Sequence, residues 1–115
     1  MQGSNESYLV RDIIKAVYDN VTHMVFRVNT GSVVTRSGRR FSTGVPKGHP
    51  DIYGVLENGR AFYIEAKKKP NKATPEQAAF INKARAYGAI AGVCYSVDEA
   101  MQLLDEAKKG ETNEL

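Results

Sequence analysis

Residues 51–69 read DIYGVLENGRAFYIEAKKK, and this stretch decides the fold of the chain. Two runs within it, Asp51 to Leu56 and Arg60 to Lys67, are rich in β-branched and aromatic residues, a composition that favours strands. The connecting residues Glu57-Asn58-Gly59 are typical of a tight turn between antiparallel strands. We therefore predict a β-hairpin over this stretch.

The length of the turn fixes which residues face each other across the hairpin. With a three-residue loop and Gly59 in the left-handed conformation, Asp51 lies directly opposite Glu65, and both carboxylates share a face. A two-residue Asn58-Gly59 turn instead sets Asp51 against Ala66 and directs the two acids to opposite faces. We predict the three-residue form.

Side chains alternate along the second strand, so Glu65 and Lys67 point to the same face as Tyr63. The opposite face is expected to enter the core through Phe62, Ile64 and Ala66. Two carboxylates held close together repel each other unless a hard cation such as Mg²⁺ binds both, and the Ala66 carbonyl is available as a third oxygen ligand. An adjacent amine completes a site suited to phosphodiester hydrolysis, because the cation polarises a phosphoryl oxygen and lowers the pKa of bound water.

Each of these residues also has an ordinary structural explanation. Asp51 fits a turn acid, and Glu65 with Lys67 fits an exposed cross-strand ion pair. The basic run that begins at Lys67 fits a solvated surface. Gln77, on the next helix, fits the capping-box partner of Thr74. Their combination is what favours an active site.

The residues before the hairpin predict one helix, one strand and a long loop. Helical spacing of apolar residues indicates a helix from Glu6 to Val21, with Ser4 or Asn5 as the N-cap. A β-rich run follows from Met24 to Asn29, and residues 33–35 either continue it or pair with it. Residues 35–50 are rich in Gly, Pro and Arg without periodicity, which predicts a long basic loop.

The residues after the hairpin predict a helix, a strand and a second helix. Thr74, Pro75 and Gln77 form a capping-box pattern that opens a helix through Tyr87, and Gly88 closes it. A buried strand is expected over residues 90–95, and Ser96 with Glu99 opens a last helix that ends near residue 110, followed by a frayed tail. The predicted order α-β-(β)-β-β-α-β-α is an α/β fold with a mixed sheet flanked by helices.

Length and composition limit the protein to a few classes. The chain has 115 residues, of which 42% are hydrophobic and 25% charged, so we expect one domain over residues 1–115. Neither a membrane span nor a signal peptide can be recognised, which favours the cytoplasm. The single cysteine, Cys94, lies in an apolar run and is expected to be buried and inert.

The charges are distributed unevenly along the sequence. Between Arg27 and Arg85 there are twelve Lys or Arg residues against four acids, whereas residues 98–115 contain two bases and six acids. This segregation is compatible with a face that binds a polyanion, and also with a basic surface that is only solvated.

Three motifs in this order resemble the virus-type replication-repair nuclease (VRR-NUC) family of the PD-(D/E)XK superfamily: GHPD at residues 48–51, YIEAK at residues 63–67, and a helical Gln77. The resemblance covers about residues 6–104 and implies a restriction-endonuclease-like core. It also implies Mg²⁺ held by Asp51 and Glu65, with Mn²⁺ able to substitute. The further catalytic residues that it implies are Lys67 as the amine, Gln77 as a positioning residue and Glu6 as the helical acid. Ala66 stands where the family often has Val.

The resemblance implies DNA cleavage that leaves a 5′-phosphate and a 3′-hydroxyl. Standalone members of this size resemble Holliday-junction resolvases of phages or prophages, and symmetric cutting of a junction requires a homodimer. The alternatives are a flap or end-processing nuclease, a restriction-type nuclease, or a non-catalytic DNA-binding accessory protein. His49 either contacts phosphate, supports the site residues from behind, or is incidental. His23 is expected to be incidental. The expected phosphate contacts on DNA are Arg36, Arg39, Arg40, Lys47, Lys68, Lys69 and Lys72.

Overall fold

The computed structural model describes residues 2–29 and 32–113, which form three helices and six strands. The helices are α1 (Gln2–Asn20), α2 (Pro75–Ala86) and α3 (Val97–Asn113). The strands are β1 (Val25–Arg27), β2 (Ser32–Val34), β3 (Arg40–Ser42), β4 (Ile52–Val55), β5 (Ala61–Ala66) and β6 (Ile90–Cys94). No helix in the described part of the chain is long and apolar enough to cross a membrane.

Four of the strands form one mixed sheet in the order β1-β4-β5-β6. β4 pairs antiparallel with β1 and β5, whereas β5 and β6 are parallel and are connected through α2. Parallel neighbours require such a crossover, and a helix commonly supplies it. The predicted α/β class, with a mixed sheet flanked by helices, is therefore confirmed.

The register of the β4–β5 hairpin is the predicted one. Ile52 pairs with Ile64 and Tyr53 with Tyr63, and one further step along this register sets Asp51 opposite Glu65. Gly59 has a φ of 91°, the left-handed conformation that the three-residue loop requires. Local turn chemistry thus determines which face carries the two carboxylates.

The core lies between one face of the sheet and the helices α1 and α3. Ile13 and Val17 of α1 and Leu104 of α3 are almost fully buried against the sheet. The sheet contributes the predicted inward residues Phe62, Ile64 and Ala66, each with 0% exposure. Cys94 is buried as expected, and burial raises the pKa of its thiol to about 12, so it is not a reactive thiolate at neutral pH.

Helix α2 packs on the opposite face of the sheet, over β5 and β6. Its N-terminus is the predicted capping box: the Thr74 hydroxyl accepts from the Gln77 N–H, and the Gln77 side chain accepts from the Thr74 N–H. Gly88, with a φ of 98°, follows the C-cap at Tyr87. The carboxylates of the hairpin lie on this face of the sheet, which α2 covers over β5 and β6.

Two predictions about the segment between β1 and β4 are wrong. β2 neither continues nor pairs with β1, but pairs antiparallel with β3, which lies inside the predicted loop. The two strands form a separate two-stranded arm, closed by a turn in which the Arg39 N–H and Thr35 N–H find local acceptors. Three-residue strands are too short to show a periodicity in sequence, which is why this segment resembled a loop.

Two helix boundaries also differ from the predictions. Helix α1 begins at Gln2, so Ser4 and Asn5 lie inside the helix and neither is its N-cap. Helix α3 continues to Asn113 instead of ending near residue 110, and residues 114 and 115 of the expected frayed tail lie outside the described residues. At the start of α3, Glu99 donates its N–H to Ser96 as predicted, while its carboxylate accepts from Tyr95.

Candidate active site

The two carboxylates predicted to meet do so at the start of β4 and the end of β5. The Asp51 N–H donates to Glu65 Oε1 at 3.1 Å, and the two carboxyl groups are hydrogen-bonded to each other. Glu65 is only 2% exposed, although it belongs to the face of the sheet opposite the core. The sheet therefore brings the buried Glu65 together with the partly buried Asp51.

Lys67 and Gln77 converge on the second oxygen of Glu65. Gln77 donates from Nε2 to Glu65 Oε2 at 3.1 Å, and the Lys67 ammonium lies 3.6 Å from the same oxygen. Gln77 thus has two contacts: its side-chain oxygen caps α2 and its side-chain nitrogen holds Glu65. The sequence left open whether Gln77 serves the helix or the site, and the structure gives it contacts to both.

The protonation of the two acids reflects this crowding. Burial and the adjacent Asp51 carboxylate together raise the pKa of Glu65 to about 7, while Lys67 opposes both effects. Burial also raises the pKa of Asp51, against hydrogen bonds from Glu65 and the Ala66 backbone. The two acids therefore retain a proton to a higher pH than isolated carboxylates do.

The donor set fits a magnesium ion. Mg²⁺ is commonly held by one or two carboxylates while it keeps several waters, and Asp51 and Glu65 supply two. Within residues 2–29 and 32–113, no cluster of three or more His, Cys, Asp or Glu side chains is placed to hold a metal. Further ligands at this site would therefore have to be water and backbone oxygen, for which the Ala66 carbonyl remains the predicted candidate.

Glu6, the predicted helical acid, contacts the segment that follows Lys67. Its Oε2 accepts from the Lys68 N–H at 3.3 Å and from Asn71 Nδ2 at 2.8 Å, so it holds the segment that follows Lys67. The Asn71 carbonyl in turn accepts from the Tyr95 hydroxyl. No sequence pattern marks Asn71, because a polar residue in a loop belongs to no periodic run.

The loop before Asp51 is held against the start of α2. Gly48 has a φ of 100°, and a Cβ at this position would lie 2.8 Å from the backbone oxygen of Glu76. His49 accordingly packs its ring on Phe80 and Tyr63, at 4.9 and 5.5 Å between centroids, and its Nδ1 lies 2.7 Å from the Pro50 carbonyl. His49 is therefore a packing residue that fixes the approach to Asp51. His23 stacks on Tyr18, elsewhere on the surface.

Replacing Gly48 by Ala is expected to displace this loop. Both left-handed strain and the close contact with Glu76 oppose a Cβ, so we expect a loss of about 1–3 kcal/mol in the free energy of unfolding and a clear loss of activity. Gly88→Ala is the matched control, since Gly88 has a similar φ of 98° and no atom within 4 Å of the added Cβ. Equal activity of the two variants in a cleavage assay would show that the contact with Glu76 does not position Asp51.

The predicted DNA-contacting residues fall in two groups around the site. Arg36, Arg39 and Arg40 lie on the β2–β3 arm and are exposed. The arm begins and ends beside Asp51, because Val28 donates its N–H to the Asp51 carbonyl and residues 46–50 lead directly into Asp51. The other group consists of exposed lysines close to the site in sequence. Lys47 precedes Asp51, and Lys68, Lys69 and Lys72 follow Lys67.

Other residues at this end of the sheet were not predicted. Arg27 lies on β1, where its guanidinium lowers the pKa of Asp51 and donates to the Ser7 hydroxyl at 3.3 Å. A row of rings crosses the strands next to the carboxylates, and it consists of Phe26, Tyr53 and Tyr63. The hairpin register pairs Tyr53 with Tyr63, whereas Phe26 joins them only through the pairing of β1 with β4, which no local pattern reveals.

The fold and the site together define a class of protein. The mixed sheet of this α/β fold carries an aspartate, a glutamate and a lysine at one end. The lysine follows the glutamate by two residues. The structure is similar to a solved structure described as "VRR_NUC domain", with a TM-score of 0.57 and 22% sequence identity. The similarity covers 87% of this chain and 94% of that one. The chain therefore has the VRR_NUC fold, as the motif resemblance implied.

Comparison by sequence does not extend this result. No protein-family model matches the chain, and no curated protein matches it. The similarity to a VRR_NUC domain thus rests on the fold and on the residues of the site.

Proposed function

We propose that the chain is a Mg²⁺-dependent DNA endonuclease of the VRR-NUC family that hydrolyses phosphodiester bonds. The observation that carries this proposal is the contact set around Glu65, which gathers Asp51, Lys67 and Gln77 at one end of the sheet. Two acids whose pKa values are raised by burial, and for Glu65 also by the neighbouring Asp51, are an unfavourable arrangement for stability alone, even beside an amine. A functional role accounts for it.

In the proposed mechanism, Asp51 and Glu65 would hold a divalent cation, with the Ala66 carbonyl as a further ligand. Bound there, the cation would supply positive charge to polarise a phosphoryl oxygen and to lower the pKa of the water that attacks phosphorus in line. Lys67 orients the attacking water and stabilises the negative charge that develops on the phosphate. Gln77 keeps Glu65 in position, and Glu6 holds the segment after Lys67, so both are positioning residues.

The proposed substrate is branched DNA, cut as by a Holliday-junction resolvase. Cutting a junction symmetrically requires two active sites, and one chain carries one, so the proposal includes a twofold homodimer. Light scattering on and off junction DNA tests this part separately. A protein that remains monomeric in both conditions would contradict the resolvase proposal and leave general nuclease activity unaffected.

The arm is proposed to bind the DNA backbone through its arginines. In the double variant Arg36→Gln/Arg39→Gln we expect weaker binding to every DNA sequence. We also expect the slope of log K against log salt concentration to be shallower by roughly one to two units, because each lost phosphate contact removes about 0.9 from that slope. Fluorescence anisotropy at several salt concentrations measures both. The matched control is Arg11→Gln/Lys15→Gln on α1, which removes the same charge. An unchanged slope in the arm variant would contradict this assignment.

The activity itself is tested by a panel of DNA substrates with Mg²⁺. Junction, flap, nicked and linear DNA are incubated side by side with the protein, with Mg²⁺, with Mn²⁺ and with a chelator. We expect metal-dependent cleavage with preference for the junction. Preference for flaps or ends would indicate a processing nuclease instead, and preference for linear duplex a restriction-type nuclease. Binding without cleavage of any substrate would favour a non-catalytic accessory protein.

A further inference from the structure

The row of rings beside the carboxylates continues across three strands. Phe26 on β1 pairs with Tyr53 on β4, which pairs with Tyr63 on β5, and the centroids are 6.4 and 5.3 Å apart. Tyr63 contacts Phe80 of α2 at 5.1 Å, so the row ends under the helix. We call Phe26, Tyr53 and Tyr63 the ring row.

The ring row lies on the same face of the sheet as the two acids. Asp51 and Tyr53 are two residues apart on one strand, as are Tyr63 and Glu65, and residues at this spacing share a face about 6.6 Å apart. A nucleotide whose phosphate lies at the carboxylates therefore has its base within reach of the rings. The register that places Glu65 opposite Asp51 also places Tyr63 opposite Tyr53.

The outer part of the row is open. Helix α2 packs over β5 and β6, and no helix in the described part of the chain packs on this face over β1 and β4. Phe26 is accordingly 45% exposed, while Tyr53 and Tyr63 are half-buried. Cross-strand ring pairs stabilise a sheet, but stability alone does not require a phenylalanine ring facing solvent on the outermost strand.

We propose that the ring row is a stacking platform for an unpaired base of the strand that is cut. This inference rests on the proposed nuclease function and specifies its substrate: DNA in which at least one base next to the scissile phosphate is free to leave the stack. Bases stack on aromatic side chains without regard to sequence, while the arginines of the arm supply the complementary positive charge for the phosphates. Fully paired duplex offers only edges of bases and cannot occupy the platform without opening.

The test uses tryptophan as a reporter, because the chain contains no tryptophan of its own. Phe26→Trp is made in a Lys67→Ala background, so that DNA is bound with Mg²⁺ and cutting is slowed. We expect a short single strand and junction DNA to quench the tryptophan emission saturably. The same sequence as blunt duplex is expected to give severalfold less quenching. Tyr18→Trp is the control, since Tyr18 is similarly exposed at 49% and lies on α1, which packs on the other face.

A second measurement asks whether the ring itself contributes to binding. Phe26→Leu is expected to weaken binding of single-stranded DNA by about 5- to 100-fold, the range for loss of one stacked base, with little change for duplex. Phe26→Tyr retains a ring and is expected to bind as the parent does. A merely structural role would weaken binding of both DNA forms together, or of neither.

The outcomes separate this inference from the proposed function. If the parent cleaves DNA while Phe26→Trp shows no quenching, the platform is wrong and the nuclease stands. If quenching occurs and the parent cleaves nothing, the platform stands and the nuclease is wrong. Emission that changes with protein concentration and not with DNA would assign the ring row to contact between two copies of the chain, and would overturn the inference.

Discussion

Replacing Glu65 by Gln is expected to lower the cleavage rate by roughly 10³-fold or more, while the metal-free protein becomes more stable at pH 8. Activity falls because the amide is a poor ligand for Mg²⁺, and charge stabilisation by a metal is worth several kcal/mol in the transition state. Stability rises because Gln removes the repulsion between two buried acids and retains an oxygen that can accept from the Asp51 N–H. Thermal melts and single-turnover cleavage measure the two effects.

The same substitution is expected to change how stability depends on pH. Glu65 has a folded-state pKa of about 7, raised from an ordinary value of 4.5. The contribution of protonated Glu65 to the stability of the fold is therefore fully present below pH 4.5, and it is lost as the pH rises through 7. The difference in melting temperature, Glu65→Gln minus parent, should thus grow from pH 5 to pH 8. Mg²⁺ should reduce this difference at pH 8 by stabilising the parent alone.

The control for these effects is Glu57→Gln, which makes the same change at an exposed position in the hairpin turn. We expect it to behave as the parent in both assays. A Glu65→Gln protein that cleaves at the parental rate would show that Glu65 is not a metal ligand. A variant that is less stable than the parent at pH 8 would show that the two acids do not destabilise the metal-free fold.

Replacing Lys67 by Ala is expected to lower the single-turnover rate by about 10²- to 10³-fold with little change in DNA affinity. Lys67 is only 13% exposed and contacts Glu65, so its charge acts inside the site, where loss of one preorganised group costs this much. Lys15→Ala on α1 is the control for loss of a positive charge. Equal loss of binding and of rate in Lys67→Ala would indicate that Lys67 is only a phosphate contact.

The parts of the site that were predictable from sequence are those set by local chemistry. Gly59 fixes the turn length, the turn length fixes the register, and the register places Asp51 against Glu65. In the same way Thr74 and Gln77 mark the start of α2 through a capping box within four consecutive residues. Each of these steps depends on residues that lie close together in the chain.

The parts that were missed depend on contacts between distant segments. The β2–β3 arm consists of three-residue strands with a turn that contains Gly38, too short for alternation to be recognised. The contact of Glu6 with Asn71 joins residues 65 positions apart, and it exists because α1 packs along the sheet. Phe26 likewise joins the ring row only when β1 pairs with β4. Sequence periodicity carries no information on such pairings.

The most direct test of a metal-dependent site at Asp51 and Glu65 is the anomalous scattering of Mn²⁺ in a crystal grown at about pH 8. We predict one strong peak that lies about 2.0–2.3 Å from a carboxylate oxygen of each residue, with Lys67 beside the ion. A crystal that contains Mn²⁺ elsewhere, while Asp51 and Glu65 remain hydrogen-bonded to each other, would contradict the account.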